Sequence, residues 1–454
     1  MTRSVKRTDR TKSGPTIPHK RPAGGTGSLQ SAVSKEPNPL RRALMILGPG
    51  LTTGASDDDP SGIGAYAVAG ASLGLRTLWL AWLTYPLMAS IQMVCAKIGM
   101  VSGKGLAGVL REHYSRKLLY GALAGLVIAN TLNAGADIGA IAAAINMFVP
   151  IPITVMVIPI AAAILALQIW GSYRLIAKTF KWLTMALFAY IASAFFARPD
   201  WGQVLKATVL PSFTFDRTFL STVVAVLGTT ISPYLFFWQA SQEVEEEISM
   251  GRRHLWQRRG ATDPELKYAA WDVNIGMLFS NVVMYFIILA TATTLFKAGK
   301  TDIQSATEAA EALRPLAGDA ARALLGIGLI GCGLLAAPVL TGCSGYAIAE
   351  GLGWKFGLDK RPGQAKGYYA IIIVGTAIGV LVNFAGINPI KALFWTAVVN
   401  GLLAPPLLVI ILLVSNNKAI MGQRTNNVFT NVMAWAATVL MFAAAIGLVL
   451  TWNS

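Results

Sequence analysis

The sequence predicts an all-α, polytopic membrane protein, and three observations carry that reading. Of its 454 residues, 54% are hydrophobic and only 13% are charged, against about 25% charged in ordinary soluble domains. The mean hydropathy is +0.55. The apolar residues also fall in blocks of roughly 18 or more, the length needed to cross a ~30 Å hydrocarbon core. This composition excludes a soluble globular enzyme, a disordered chain and a nucleic-acid binder.

Residues 1–42 are rich in Lys, Arg, Ser, Pro and Gly, lack an apolar run, and read as a disordered basic cytoplasmic tail without a cleavable signal peptide. The membrane domain is 43–454. Hydropathy places eleven spans at 43–75, 77–101, 117–148, 152–170, 173–197, 217–248, 268–297, 319–354, 367–385, 389–415 and 428–452. Several exceed one crossing, so tilts or breaks are expected. The net charge of +16 concentrates in the tail and in the loops after even-numbered spans, as in Lys104, Arg111, Arg116 and Lys117, and in Arg252, Arg253, Arg258, Arg259 and Lys267. Positive charge so distributed sets orientation. The opposite loops are leaner, with Arg198, Lys206, Lys300 and Arg314 as exceptions. The N-terminus is therefore expected in the cytoplasm and the C-terminus outside, in the cell's inner (plasma) membrane. A monomer is expected. Cys95, Cys332 and Cys343 lie in apolar segments without metal-site spacing and read as small buried hydrophobes.

Span 1 is interrupted by Gly54-Ala-Ser-Asp-Asp-Asp-Pro-Ser-Gly62. A carboxylate at the centre of a span costs ~3 kcal/mol on insertion scales, so Asp57, Asp58 and Asp59 are not expected to face lipid. Pro60 has no N–H, which frees the Ser56 carbonyl, and Gly62 permits non-helical backbone. Span 6 breaks in the same way at Gly228-Thr-Thr-Ile-Ser-Pro-Tyr234, where Pro233 frees the Thr229 carbonyl. Two discontinuous helices, one opening each half of the chain, point to a transporter with inverted repeats and a midplane site. Spans 1–5 and 6–10 form the repeats, with an eleventh helix added.

At these residues the sequence resembles the Nramp divalent-metal transporters, whose fold is of the LeuT type. Gly48-Pro-Gly with Asp59-Pro60, Gly228 to Tyr234, Ala134-Gly-Ala-Asp137-Ile, and Gly342-Cys-Ser-Gly to Trp354 carry the resemblance. It implies that the family's Asn ligand falls on Gly62, its Met ligand on Ser232, its two span 6 histidines on Tyr234 and Gln239, and an acidic residue of span 3 on Ala140. This pattern is similar to the divergent branch of Nramp-related magnesium transporters, which lack the Met.

Chemistry points the same way, because a thioether favours transition metals whereas oxygen suits Mg²⁺ and Mn²⁺. The expected ligands are Asp59, the carbonyls of Ser56 and Thr229, and Ser232 through its side chain or carbonyl. Asn400 is the span 10 candidate, with Thr396 as its rival. Asp57 and Asp58 are either vestibule charges or helix-terminal, water-facing acids. Asp137 is a proton relay or, by preference, a structural partner. Gln239, Gln242, Glu243 and Glu246 share one helix face and line a cytosolic exit or a solvated helix end. Asp272 and Asn281 are expected to hydrogen-bond across helices.

His19, His113 and His254 all lie outside the spans, so proton coupling is expected to be weak or absent. The leading expectation is a secondary transporter carrying divalent cations into the cytoplasm, with the ion as cargo and no cofactor. The alternatives are a proton-coupled Mn²⁺/Fe²⁺ symporter and a Na⁺- or H⁺-coupled symporter of a small organic solute. Three acids at the break would repel a carboxylate substrate and count against the latter. An integral-membrane enzyme lacks an intramembrane histidine to work with.

Overall fold

The computed structural model describes residues 48–170, 188–303, 306–314, 318–357 and 360–451. The basic tail and most of the expected fifth span lie outside the described residues. Span 1 forms two helices, α1 (Pro49–Asp57) and α2 (Pro60–Leu73). Then come α3 (Trp79–Ser102), α4 (Leu106–His113), α5 (Arg116–Asn146), α6 (Ile153–Trp170), α7 (Phe188–Phe196) and α8 (Trp201–Val209). Span 6 also divides, into α9 (Arg217–Thr230) and α10 (Pro233–Ser249). After the short α11 (Leu255–Arg258), α12 (Asp263–Thr291) runs into a π-helical turn, Ala292–Phe296. The chain continues with α13 (Ala306–Ala310), α14 (Ala321–Leu352), α15 (Lys366–Val382), α16 (Pro389–Asn416), α17 (Lys418–Met421) and α18 (Val428–Leu450).

Nine helical segments among the described residues are long and apolar enough to cross a membrane. Span 1 adds a tenth crossing built from two pieces, each too short to span alone. Helices α4 and α8 were not expected. Each is short with an apolar face on the bundle, a signal that span-length hydropathy averages away.

Small residues set the packing. A Cβ on Gly54 would stand 2.2 Å from the Gly276 carbonyl oxygen, so α1 and α12 touch backbone to backbone. The same holds for Gly228 against Gly401 (α9 and α16) and Gly135 against Gly379 (α5 and α15). With lipid as apolar as any side chain, such close approach is what holds membrane helices together. The middle of the α9–α10 span is wholly buried, whereas most of α6 and α18 is not.

Asp272 of α12 fixes the start of α1. Its carboxylate accepts from the amides of Gly48 (2.8 Å), Gly50 (2.6 Å) and Leu51 (3.0 Å). These are first-turn N–H groups with no partner inside their own helix, at the positive end of the helix dipole. Asp272 thus bonds across helices as expected. Asn281 does too, its amide facing the Ala81 carbonyl and the Tyr85 amide of α3.

Candidate metal centre

The two breaks meet in the interior. Asp58 and Asp59 separate α1 from α2, and Ile231 and Ser232 separate α9 from α10. Tyr234, in the first turn of α10, donates its hydroxyl to the Ser56 carbonyl at the end of α1 (2.8 Å). A Cβ on Gly62 would lie 3.1 Å from Thr229 Oγ1 and 3.3 Å from Asp59 Oδ1. Two helix C-termini, α1 and α9, therefore aim their carbonyl ends at one place, which favours a cation.

Asp59 sits at the centre, with no exposed surface. Its Oδ1 accepts from Ser61 Oγ (2.7 Å) and the Gly62 amide (2.6 Å), capping α2. Its Oδ2 accepts from Asn133 Nδ2 (2.9 Å) and lies 3.5 Å from the Tyr234 hydroxyl. Four neutral donors hold the carboxylate, and it has no ion-pair partner among the described residues.

The geometry revises several expectations. The carbonyl of Ser56 is free of its helical partner but accepts from Tyr234. That of Thr229 accepts from Ser232 Oγ (2.8 Å), which also donates to the Gly228 carbonyl (2.6 Å). A carbonyl has a second lone pair, so both keep capacity for an ion. The Ser232 hydroxyl turns back onto its own chain, closing the end of α9. Asp57 and Asp58 do not converge on Asp59. Both are fully buried rather than water-facing, and both accept from Ser280 Oγ of α12, at 2.5 and 3.2 Å. Ser280 has one proton for two carboxylates, and one oxygen of each is left without a donor.

Asp137 lies on the same face of α5 as Asn133, one turn on. Its carboxyl faces the Ser61 amide, yet neither oxygen completes a hydrogen bond. Asn400 is buried with both amide atoms unpartnered, and its neighbour Gly401 packs directly on Gly228 of α9. Thr396 bonds back to the Leu393 carbonyl. Gln239 and Glu243 are buried on α10, and Gln239 Nε2 donates to Glu243 Oε1 (2.9 Å).

Sequence reasoning missed Asn133, Ser280 and Tyr66. A signal existed for Asn133, which stands four residues before Asp137 in an apolar span and so shares its helix face. Tyr66 is fully buried in α2, one turn beyond Gly62. Cys332 of α14, read as a small buried hydrophobe, is buried. Among the described residues, no three His, Cys, Asp or Glu side chains close into a metal cluster, so an ion held here depends on backbone and amide oxygens beside one acid.

A family model described as natural resistance-associated macrophage protein-like matches residues 50–451. The chain belongs to the Nramp-like family. The divalent metal cation transporter MntH of Bacillus subtilis is 27% identical over 434 residues, covering 93% of this chain and 96% of the relative. The crystal structure of the Eremococcus coleocola manganese transporter superposes with a TM-score of 0.73 at 19% identity, covering 91% of this chain and 87% of that one. Mhp1, a nucleobase-cation-symport-1 family transporter, shares the architecture more distantly, with a TM-score of 0.54 at 12% identity over 89% of this chain and 93% of Mhp1. The fold is the all-α, LeuT-type arrangement of the Nramp-like family.

Proposed function

We propose that this Nramp-like chain carries divalent cations into the cytoplasm through a site centred on Asp59. One observation carries the reading: a carboxylate wholly enclosed where two broken spans meet, held only by neutral donors and with no cationic side chain bonded to it among the described residues. An ionisable side chain at such depth is by default a functional-site candidate, and this one keeps its charge for the cargo. Relatives named as divalent metal cation transporters support the same substrate class.

The site favours Mg²⁺ or Mn²⁺. Asp59, the carbonyls of Ser56 and Thr229, and the amide oxygens of Asn133 and Asn400 are hard oxygen donors, and Ser232 stands where the resemblance puts a thioether. Gly62 adds no side chain, which leaves room for an ion that keeps part of its water. Pro60, Pro233 and Tyr234 shape the gap, Asp57, Asp58 and Asp137 add negative charge around it, and Gln239 and Glu243 line the exit. Proton coupling is weak or absent, since His113 ends the short α4 and His254 precedes α11, both outside the candidate spans. An inside-negative potential supplies ~2.3 kcal/mol per charge per 100 mV, enough to draw a divalent ion inward without a co-ion. The basic loops favour a cytoplasmic N-terminus and a C-terminus outside, in a protein that works as a monomer.

The test is flux into liposomes containing the purified protein, with Mg²⁺, Mn²⁺ and Cd²⁺ offered under an imposed potential while internal pH is followed. Mg²⁺ and Mn²⁺ uptake without acidification is expected. Uptake of none of the three would overturn the reading, and stoichiometric acidification would overturn its uncoupled form.

A further inference from the structure

The gap between the helices accounts for Asp59 and its neighbours but not for a second polar group along α10. At 1.5 Å per residue, Gln239 and Glu243 stand about 9 and 15 Å beyond Pro233, toward the basic loop that follows α10. Gln239 has no exposed surface and Glu243 only 6%. Glu243 Oε1 accepts from Gln239 Nε2 at 2.9 Å. The other amide atom, Gln239 Oε1, is buried and has no hydrogen-bond donor. Glu243 has no ion-pair partner among the described residues.

A hydrogen-bonded Gln–Glu pair serving packing alone would leave neither an orphaned amide oxygen nor a buried carboxylate without a cationic partner, because both are costly to bury. The arrangement has instead the donors a hard cation takes, carboxylate and carbonyl oxygens. We infer that Gln239 Oε1 and Glu243 form a second divalent-cation subsite on the release side of Asp59. It rests on the cation-transport reading. Stepwise transfer between two weak sites lets an ion leave a carboxylate it binds well, as multi-site pathways do generally.

The experiment titrates the purified full-length protein with Mn²⁺ alone and follows free Mn²⁺ by its electron paramagnetic resonance signal. Two Mn²⁺ per chain are expected for the wild type. Asp59→Asn should lose one and keep the other, and Glu243→Gln should do the reverse, with the affected site weakened at least about tenfold. Gln239→Met, close in volume, guards against a Glu243→Gln protein that fails to fold, and it too should lose only the second ion and slow Mn²⁺ release into liposomes. A single Mn²⁺ in the wild type, removed by Asp59→Asn and untouched by Gln239→Met, overturns the subsite and leaves the transport reading standing. A wild type that binds no Mn²⁺ and moves none overturns both.

Discussion

Asp59→Asn separates charge from shape at the centre of the site. The substituted side chain keeps an oxygen to accept from Ser61 Oγ and the Gly62 amide, now at 2.7 and 2.6 Å, so the cap of α2 survives. The new Nδ2 meets Asn133, whose Oδ1 has no partner at present and accepts once that amide turns over. Fold stability should fall by about 1 kcal/mol, one charged acceptor having become neutral. Cation binding loses far more. A divalent ion 4 Å from a unit negative charge gains about 8 kcal/mol at an effective dielectric of 20, twice the figure for two unit charges. Dehydration of the ion and displacement of the four donors offset most of that gain. Even a third of it remaining corresponds to roughly a hundredfold in affinity. Isothermal titration with Mn²⁺ and flux into liposomes should show at least that loss while the variant elutes as a monodisperse species. A monodisperse variant that binds Mn²⁺ within threefold of wild type would refute the placement of Asp59.

Ser232→Met should raise Cd²⁺ over Mg²⁺ uptake at least about tenfold, because it puts a soft thioether at the break; competition flux measures it, and an unchanged ratio counts against the position of Ser232. Gly54→Ala drives a methyl into the Gly276 carbonyl and should cost about 1–3 kcal/mol or more, read as a lower thermal midpoint. Asp272→Ala leaves the buried Gly50 amide without an acceptor, a loss of about 1–3 kcal/mol, and protease protection of the start of α1 should fall with it. Asp216, at the start of α9, is held below the usual carboxylate range by the Phe219 amide that it caps at 2.8 Å. Its stabilising effect is therefore present above that range and lost as pH falls through its lowered value. Asp216→Ala should cost about 1 kcal/mol at neutral pH, and the difference in midpoint from wild type should vanish in acid.

The spans that fall among the described residues were legible because the hydrocarbon core imposes one length and one composition on every crossing. The ends of α5 and α16, and the outer ends of the α9–α10 pair, fall within a few residues of their hydropathy limits. Both breaks were legible because Pro60 and Pro233 leave carbonyls that must bond elsewhere. Where those carbonyls turned was not legible: that Tyr234 reaches Ser56 across 178 positions follows from packing of α10 against α1, which no local pattern records. The direction of Asp57 and Asp58 was equally hidden, since it depends on Ser280, more than 220 residues away. Asn133 shows the other limit, because an amide in an apolar span announces a partner without naming it.

The bare contact of Gly54 with Gly276 leaves no side-chain layer on which α1 and α12 could slide. With Asp272 clamping the near end as well, the two behave as a single plank. Any swing of α1 must carry α12 with it, and its hinges fall where regular hydrogen bonding lapses: the Asp58–Asp59 gap at one end and the π-helical turn Ala292–Phe296 at the other. A covalent crosslink between α1 and α12 should thus leave turnover intact, whereas one bridging either hinge should stop it.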